Sequence, residues 1–208
     1  MQSITHVSKM YLYELTLNEN QRCYQCAYES ILWFAKTHKI RRVLDYGGGI
    51  GGLTLYLNSR GVKCDYADVP GLTWDYAQYR FNRANIKASL FSENELRKGK
   101  WDYDLVISLD CLEHLHPLVE YVKFFNSIMK PNGSFISQSA FYGIGLHIEA
   151  NHQFNSFTVF NEMLTQNGFL FKGQLAKRGI VTCVIPPAIL NLLNKRSISG
   201  KKLVYAKK

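Results

Sequence analysis

No apolar run in this 208-residue chain approaches the roughly 20 residues needed to cross a bilayer, which argues against a spanning helix. Met1 to Lys9 lacks the apolar core of a secretory signal, so a cytoplasmic location is expected. Cysteine is scarce: five residues form no framework of a stapled scaffold and read as reduced thiols. Cys23-x-x-Cys26 has no second pair to complete a zinc site and lies in a helical pattern, so both read as ordinary helix residues. Repeats and low-complexity linkers are also absent. Acids are outnumbered, 16 against 25 basic residues, for a net charge of +9. The excess is scattered at loop ends (Lys36-Lys39-Arg41-Arg42, Arg80-Arg83-Lys87, Arg97-Lys98-Lys100) and reads as solvated surface, although the total permits an RNA partner.

What is present is an ordinary globular composition, 47% apolar and 20% charged, of a size that suits one domain over 1–208. Period and punctuation predict a helix over Arg22–Lys39, within an N-terminal helical segment of about 1–40. Strands follow at Arg42–Tyr46 and Lys63–Asp68, a helix at Trp74–Arg83, and strands at Ile86–Phe91 and Leu105–Leu109. Leu118–Met129 is an amphipathic helix, Pro131-Asn132-Gly133 a turn into a strand at Ser134–Gln138, and Thr158 the cap of a helix reaching Asn167. Phe169–Leu175 and Lys202–Ala206 make seven strands. Such alternation argues for an α/β, parallel, doubly wound sheet with helices on both faces, and only the last two strands, joined without a helical crossover of the earlier kind, have the connection for antiparallel pairing.

Chemistry concentrates at residues 43–52, Val-Leu-Asp-Tyr-Gly-Gly-Gly-Ile-Gly-Gly. An apolar strand end runs into a glycine-crowded turn, and the helix beginning near Leu53 would present free N–H groups to a ligand. Gly47-x-Gly49-x-x-Gly52 fits a dinucleotide fingerprint as literally as Gly47-x-Gly49-x-Gly51 fits a methyltransferase one. Asp68, after the next strand, suits the ribose of either cofactor. Asp45 introduces a preference, because a carboxylate there repels phosphate and favours a cationic nucleoside such as S-adenosylmethionine.

Further along stand Tyr103-Asp104-Leu105-Val106-Ile107, then Leu112-Glu113-His114, then Met129-Lys130-Pro131-Asn132-Gly133. With Asp45-x-Gly-x-Gly-x-Gly, this ordered set resembles the class I S-adenosylmethionine-dependent methyltransferases over about Ile31 to Tyr205. The nearest flavour is the group containing the ubiquinone-biosynthesis O-methyltransferases. The resemblance implies a Rossmann-like seven-stranded sheet of order 3-2-1-4-5-7-6, its last-paired strand antiparallel, and a single methyltransferase domain. It implies that Asp45, Gly47, Gly49 and Gly51 cradle the methionine part, that Asp68 holds the ribose and that Val69 packs on the adenine. Leu109 and Asp110 would line the methionine side. The acid that often reads the adenine amine has no clear counterpart in Ser89-Leu90-Phe91-Ser92-Glu93.

The expected reaction is in-line methyl transfer to the oxygen of a small-molecule acceptor, leaving S-adenosylhomocysteine. Positioning supplies most of the acceleration, and His114 or His152 would act as base, with His147 a further candidate. Asp110-x-x-Glu113-His114 together with His152 also resembles a divalent-metal cluster of small-RNA 2′-O-methyltransferases. The alternatives are accordingly an RNA methyltransferase, a non-catalytic S-adenosylmethionine-binding subunit and, last, an NAD-dependent dehydrogenase. Residues 141–157, with Tyr142, Gly143, Gly145 and His147, are read as the acceptor lid. Ile185–Leu193 reads as an apolar helix packing over the sheet, and Met10–Leu17 as a segment able to close over the cofactor. Either a monomer or a homodimer fits.

Overall fold

A computed structural model describes residues 9–141, 149–176, 179–181 and 203–207. Its helices are α1 (Lys9–Glu19), α2 (Arg22–Thr37), α3 (Gly52–Asn58), α4 (Leu72–Arg83), α5 (Glu93–Lys98), α6 (Leu118–Ser127) and α7 (Phe157–Gln166). Its strands are β1 (Val43–Tyr46), β2 (Cys64–Ala67), β3 (Leu90–Phe91), β4 (Tyr103–Leu109), β5 (Met129–Gln138), β6 (Phe169–Ala176), β7 (Gly179–Val181) and β8 (Leu203–Lys207). They form one sheet in the order β3-β2-β1-β4-β5-β8-β6-β7. The seven expected strands are thus in the expected order, with β7 added as a short edge strand.

Two compact units divide the chain, the first of residues 1–100 and 177–179, the second of residues 101–176 and 180–208. In the first, β1 and β2 pair in parallel from Val43–Cys64 to Tyr46–Ala67, and every residue of both strands is buried. Strands covered on both faces need continuous apolar or partnered residues rather than alternation, which is what Val-Leu-Asp-Tyr and Cys-Asp-Tyr-Ala provide. The buried acid Asp65 is matched by Arg42, whose Nη2 lies 3.0 Å away. Tyr66, Ala77 and Phe81 form a cluster under the sheet end, with Trp74, Ile86 and Leu90 packed against it.

That cluster explains the shortness of β3. Ile86 donates its N–H to Phe81 O at the end of α4 and turns its side chain onto the cluster, so only Leu90 and Phe91 remain to pair with β2. The expected strand over Ile86–Phe91 is corrected accordingly.

In the second unit β4 pairs with β5 in parallel, and β8 lies antiparallel to both β5 and β6. Aromatic side chains fill it: Phe125, Phe135 and Phe169 follow one another at centroid spacings of 5.5 Å. Here β5 begins at Met129, not Ser134, and α6 ends at Ser127. Tyr103 pairs with Met129 while Leu105 pairs with Ser134, so the expected Pro-Asn-Gly turn is a bulge inside the strand. Asn132 takes the left-handed φ of 63° that this bulge demands. The cap of α7 is Ser156, not Thr158, and it makes no side-chain cap bond. Among the described residues, no helix is long and apolar enough to cross a membrane.

Candidate functional site

In the first unit β1 delivers the chain into the glycine turn, and α3 starts at Gly52 with Gly51 as its cap. The glycines differ in purpose. Gly51 has φ 76°, and a Cβ there would lie 2.6 Å from Phe81 Cζ. Both the left-handed backbone and the absence of space forbid a side chain. Gly51→Ala should therefore lower unfolding free energy by about 2–4 kcal/mol in urea titration, and a loss under about 1 kcal/mol would contradict this packing. Gly49, at φ 53°, is open: a Cβ would meet only Leu15 of α1, at 4.0 Å. The turn is closed against the protein at Gly51 and accessible at Gly49, as a ligand cradle must be.

Two carboxylates flank this turn. Asp45, 3% exposed, accepts a hydrogen bond from Thr54 Oγ1 at 2.8 Å. Burial pushes its pKa up to about 7, the Thr54 bond opposing and the Asp68 charge reinforcing the shift. Asp68 stands just past β2, where its Oδ2 accepts from Gly49 N–H and its Oδ1 from Val69 N–H, both at 2.6 Å. Burial raises its pKa to about 6 against the lowering effect of those two N–H groups and of Tyr66. The Tyr66 hydroxyl donates to Gly49 O at 2.7 Å, so the Gly49 residue is held at both its N–H and its carbonyl. Each carboxylate oxygen has lone pairs left for ligand hydroxyls. Val69 is 52% exposed beside Asp68, a free apolar surface. After β3, Glu95 closes a capping box with Ser92 and Glu93 pairs with Arg97, so both acids in that stretch are engaged by α5 itself.

In the second unit β4 ends at Leu109, and Asp110 adopts a left-handed φ of 49°. Its N–H donates to Gln138 O at 2.7 Å, and Gln138 Nε2 donates to both carboxylate oxygens at 3.2 and 3.3 Å. A 3-10 turn over Leu112–His114 follows. Glu113 is buried, 1% exposed, and its Oε1 accepts from Ala140 N–H at 3.1 Å, while Asn151 Nδ2 donates to the carbonyls of Glu113 and Leu115. His114 and His152 are both half-buried.

The alternative reading of Asp110, Glu113, His114 and His152 as a metal cluster finds no shared centre in the structure. Among the described residues no group of three or more His, Cys, Asp or Glu side chains is arranged to hold an ion. The reason is local: Asp110 is turned to Gln138 and Glu113 to Ala140, so carboxylates adjacent in sequence serve different neighbours. The expected lid is also partly revised, since Glu149–Asn155 is a 3-10 helix. Tyr142, Gly143, Gly145, His147 and Ile185–Leu193 lie outside the described residues. Cys23 and Cys26 are free thiols on α2, the first exposed and the second partly buried. Thr54, Tyr66, Gln138 and Asn151 were not anticipated. Tyr66 carried a usable signal, because residues two apart on a strand share a face and Asp68 is two residues on.

Comparison with known proteins agrees with this architecture. A family model described as a methyltransferase domain matches residues 18–175, well over half of the chain. A TehB-like S-adenosylmethionine-dependent methyltransferase from Corynebacterium glutamicum superposes with a TM-score of 0.62 at 17% identity, covering 96% of this chain and 95% of that one. An S-adenosylmethionine-dependent methyltransferase from Clostridium acetobutylicum gives 0.63 at 11% identity, covering 95% and 96%. Magnesium protoporphyrin IX methyltransferase from Synechocystis, with bound S-adenosylmethionine, gives 0.60 at 17% identity, covering 89% and 80%. At these identities the likeness is one of fold. No curated protein sequence matches the chain.

Proposed function

The chain belongs to the methyltransferase-domain family, within the class I S-adenosylmethionine-dependent methyltransferases, and from that premise we propose that it methylates the oxygen of a small-molecule acceptor. The observation that carries the donor assignment is the buried carboxylate of Asp45 beside the glycine turn, with Asp68, which suits either cofactor, on its other side. A diphosphate would be repelled there, whereas the sulfonium of S-adenosylmethionine is attracted. In this reading Gly47, Gly49 and Gly51 receive the methionine part, Asp68 the ribose, and exposed Val69 the adenine face. Leu109 and Asp110 line the methionine side.

The methyl carbon leaves sulfur as its bond to the acceptor oxygen forms, giving S-adenosylhomocysteine and the methyl ether or ester. The acceptor proton passes to His114, which follows β4, with His152 as the second candidate. Calorimetry with S-adenosylhomocysteine and with NAD tests the donor half. Micromolar binding of the first and none of the second is expected, and absence of binding to S-adenosylhomocysteine would sink the assignment. For the acceptor half, binding to RNA that weakens steeply with salt would replace the small molecule with a nucleic acid.

A further inference from the structure

Arg80, on α4, is read from sequence as one of many surface cations, yet its side chain is only 22% exposed and its guanidinium makes three bonds. Nη1 donates to Ile50 O at 2.7 Å, inside the glycine turn, and to Glu19 Oε2 at 2.8 Å. Nη2 donates to Glu19 Oε1 at 2.9 Å, completing a two-pronged pair with the last residue of α1. The Ile50–Gly51 peptide is thereby held at both ends, since Gly51 N–H donates to Gly48 O at 2.9 Å. Gly52 completes the contact: a Cβ there would collide with the Glu19 carboxyl group and the Tyr28 hydroxyl.

One turn before Glu19, Leu15 lies over the open side of Gly49. A single helix therefore touches the turn at two points, its apolar residue over the opening and its carboxylate at the rim. Elsewhere on α1, Met10, Tyr11, Tyr13 and Leu17 are exposed. The Glu19–Arg80 pair ties the C-terminal end of α1 to α4.

We propose that Glu19 and Arg80 are positioning residues for donor binding, resting on the function proposed above: the pair ties α1 to the Ile50 carbonyl, so that seating of α1 and the ligand-ready shape of the turn are coupled. Neither side chain needs to touch the donor. An Arg fork suits this task because it bonds a carboxylate with two nitrogens and still has a donor for the carbonyl. A partly exposed pair adds little to global stability, so its removal should register in the turn rather than in the fold.

The test compares wild type with Glu19→Gln, Arg80→Met and Arg80→Lys by calorimetry with S-adenosylhomocysteine, by hydrogen exchange and by thermal unfolding without ligand. Glu19→Gln should weaken binding about fivefold and Arg80→Met about twentyfold, with the ligand-free unfolding temperature held within about 2 °C. Arg80→Lys, which keeps one donor for Ile50 O, should recover part of the loss. Residues 9–19 should gain exchange protection on ligand binding in wild type and gain much less in Glu19→Gln. The double variant should be no weaker than Arg80→Met alone, as members of one linkage are not additive. Variants that bind like wild type, or whose losses follow a fall in unfolding temperature, overturn the proposal. Wild type that binds no S-adenosylhomocysteine overturns the functional reading and this proposal with it.

Discussion

Asp68→Ala protein should bind S-adenosylhomocysteine at least about a hundredfold more weakly than wild type, the order expected when about 3 kcal/mol of charge-assisted hydrogen bonding is lost. The carboxylate has two functions in one place. It holds Gly49 N–H and Val69 N–H at 2.6 Å each, fixing the turn against the end of β2, and it faces the side on which the ribose is proposed to lie. Removing it frees the open segment of the turn and deletes the ribose acceptor together. Asp68→Asn should be nearly as damaging, because a carboxamide offers one acceptor oxygen where two backbone donors converge. The unliganded protein should unfold almost normally. Burial already holds the Asp68 pKa up near 6, so the ionised carboxylate is itself costly in the free protein, and its loss offsets the two missing bonds. Calorimetry beside thermal denaturation separates the two effects. A dissociation constant within threefold of wild type would remove Asp68 from the site.

The difference between what was legible in the sequence and what was not follows contact distance. The strand into Asp45, the glycines and Asp68 are read within one β–turn–α–β stretch, where local apolar runs and breakers carry the signal. Arg80 is not legible, because its partners lie 30 residues away at Ile50 and 61 away at Glu19. In sequence it resembles any basic residue near a helix end. The Asp110-x-x-Glu113-His114 cluster errs in the opposite direction: proximity in sequence suggests convergence, but a left-handed Asp110 and a 3-10 turn aim its carboxylates apart. The α5 helix had a readable start in Ser92-x-x-Glu95, a capping box whose bonds are all present. Thr158 and Ser156 illustrate a plainer limit, since two hydroxyl residues two apart are equivalent as helix-start signals and only tertiary packing chooses between them.

Affinity for S-adenosylmethionine should rise on the order of tenfold between pH 5.5 and 8, and affinity for S-adenosylhomocysteine should rise less. The cause is Asp45, whose pKa is raised by burial from 3.8 to about 7. At the acid end it is mostly neutral and indifferent to a sulfonium; at the alkaline end it is a buried anion, 3% exposed, that a cation relieves. The thioether product has no such charge, so only the pH response carried by Asp68, common to both ligands, should remain for it. Stability of the free protein should move in the opposite direction. Both acids have folded-state pKa values above their unfolded ones, so the folded state binds more protons between about pH 4 and 7, and their contribution to stability falls as pH rises through that window. Rising pH thus destabilises the empty site while strengthening its hold on the charged donor. Asp45→Asn should abolish the difference between the two ligands and flatten the stability trend. Equal pH slopes for donor and product in wild-type protein, measured by calorimetry, would show that Asp45 does not sense the sulfonium, and the electrostatic preference for a cationic donor would then need another source.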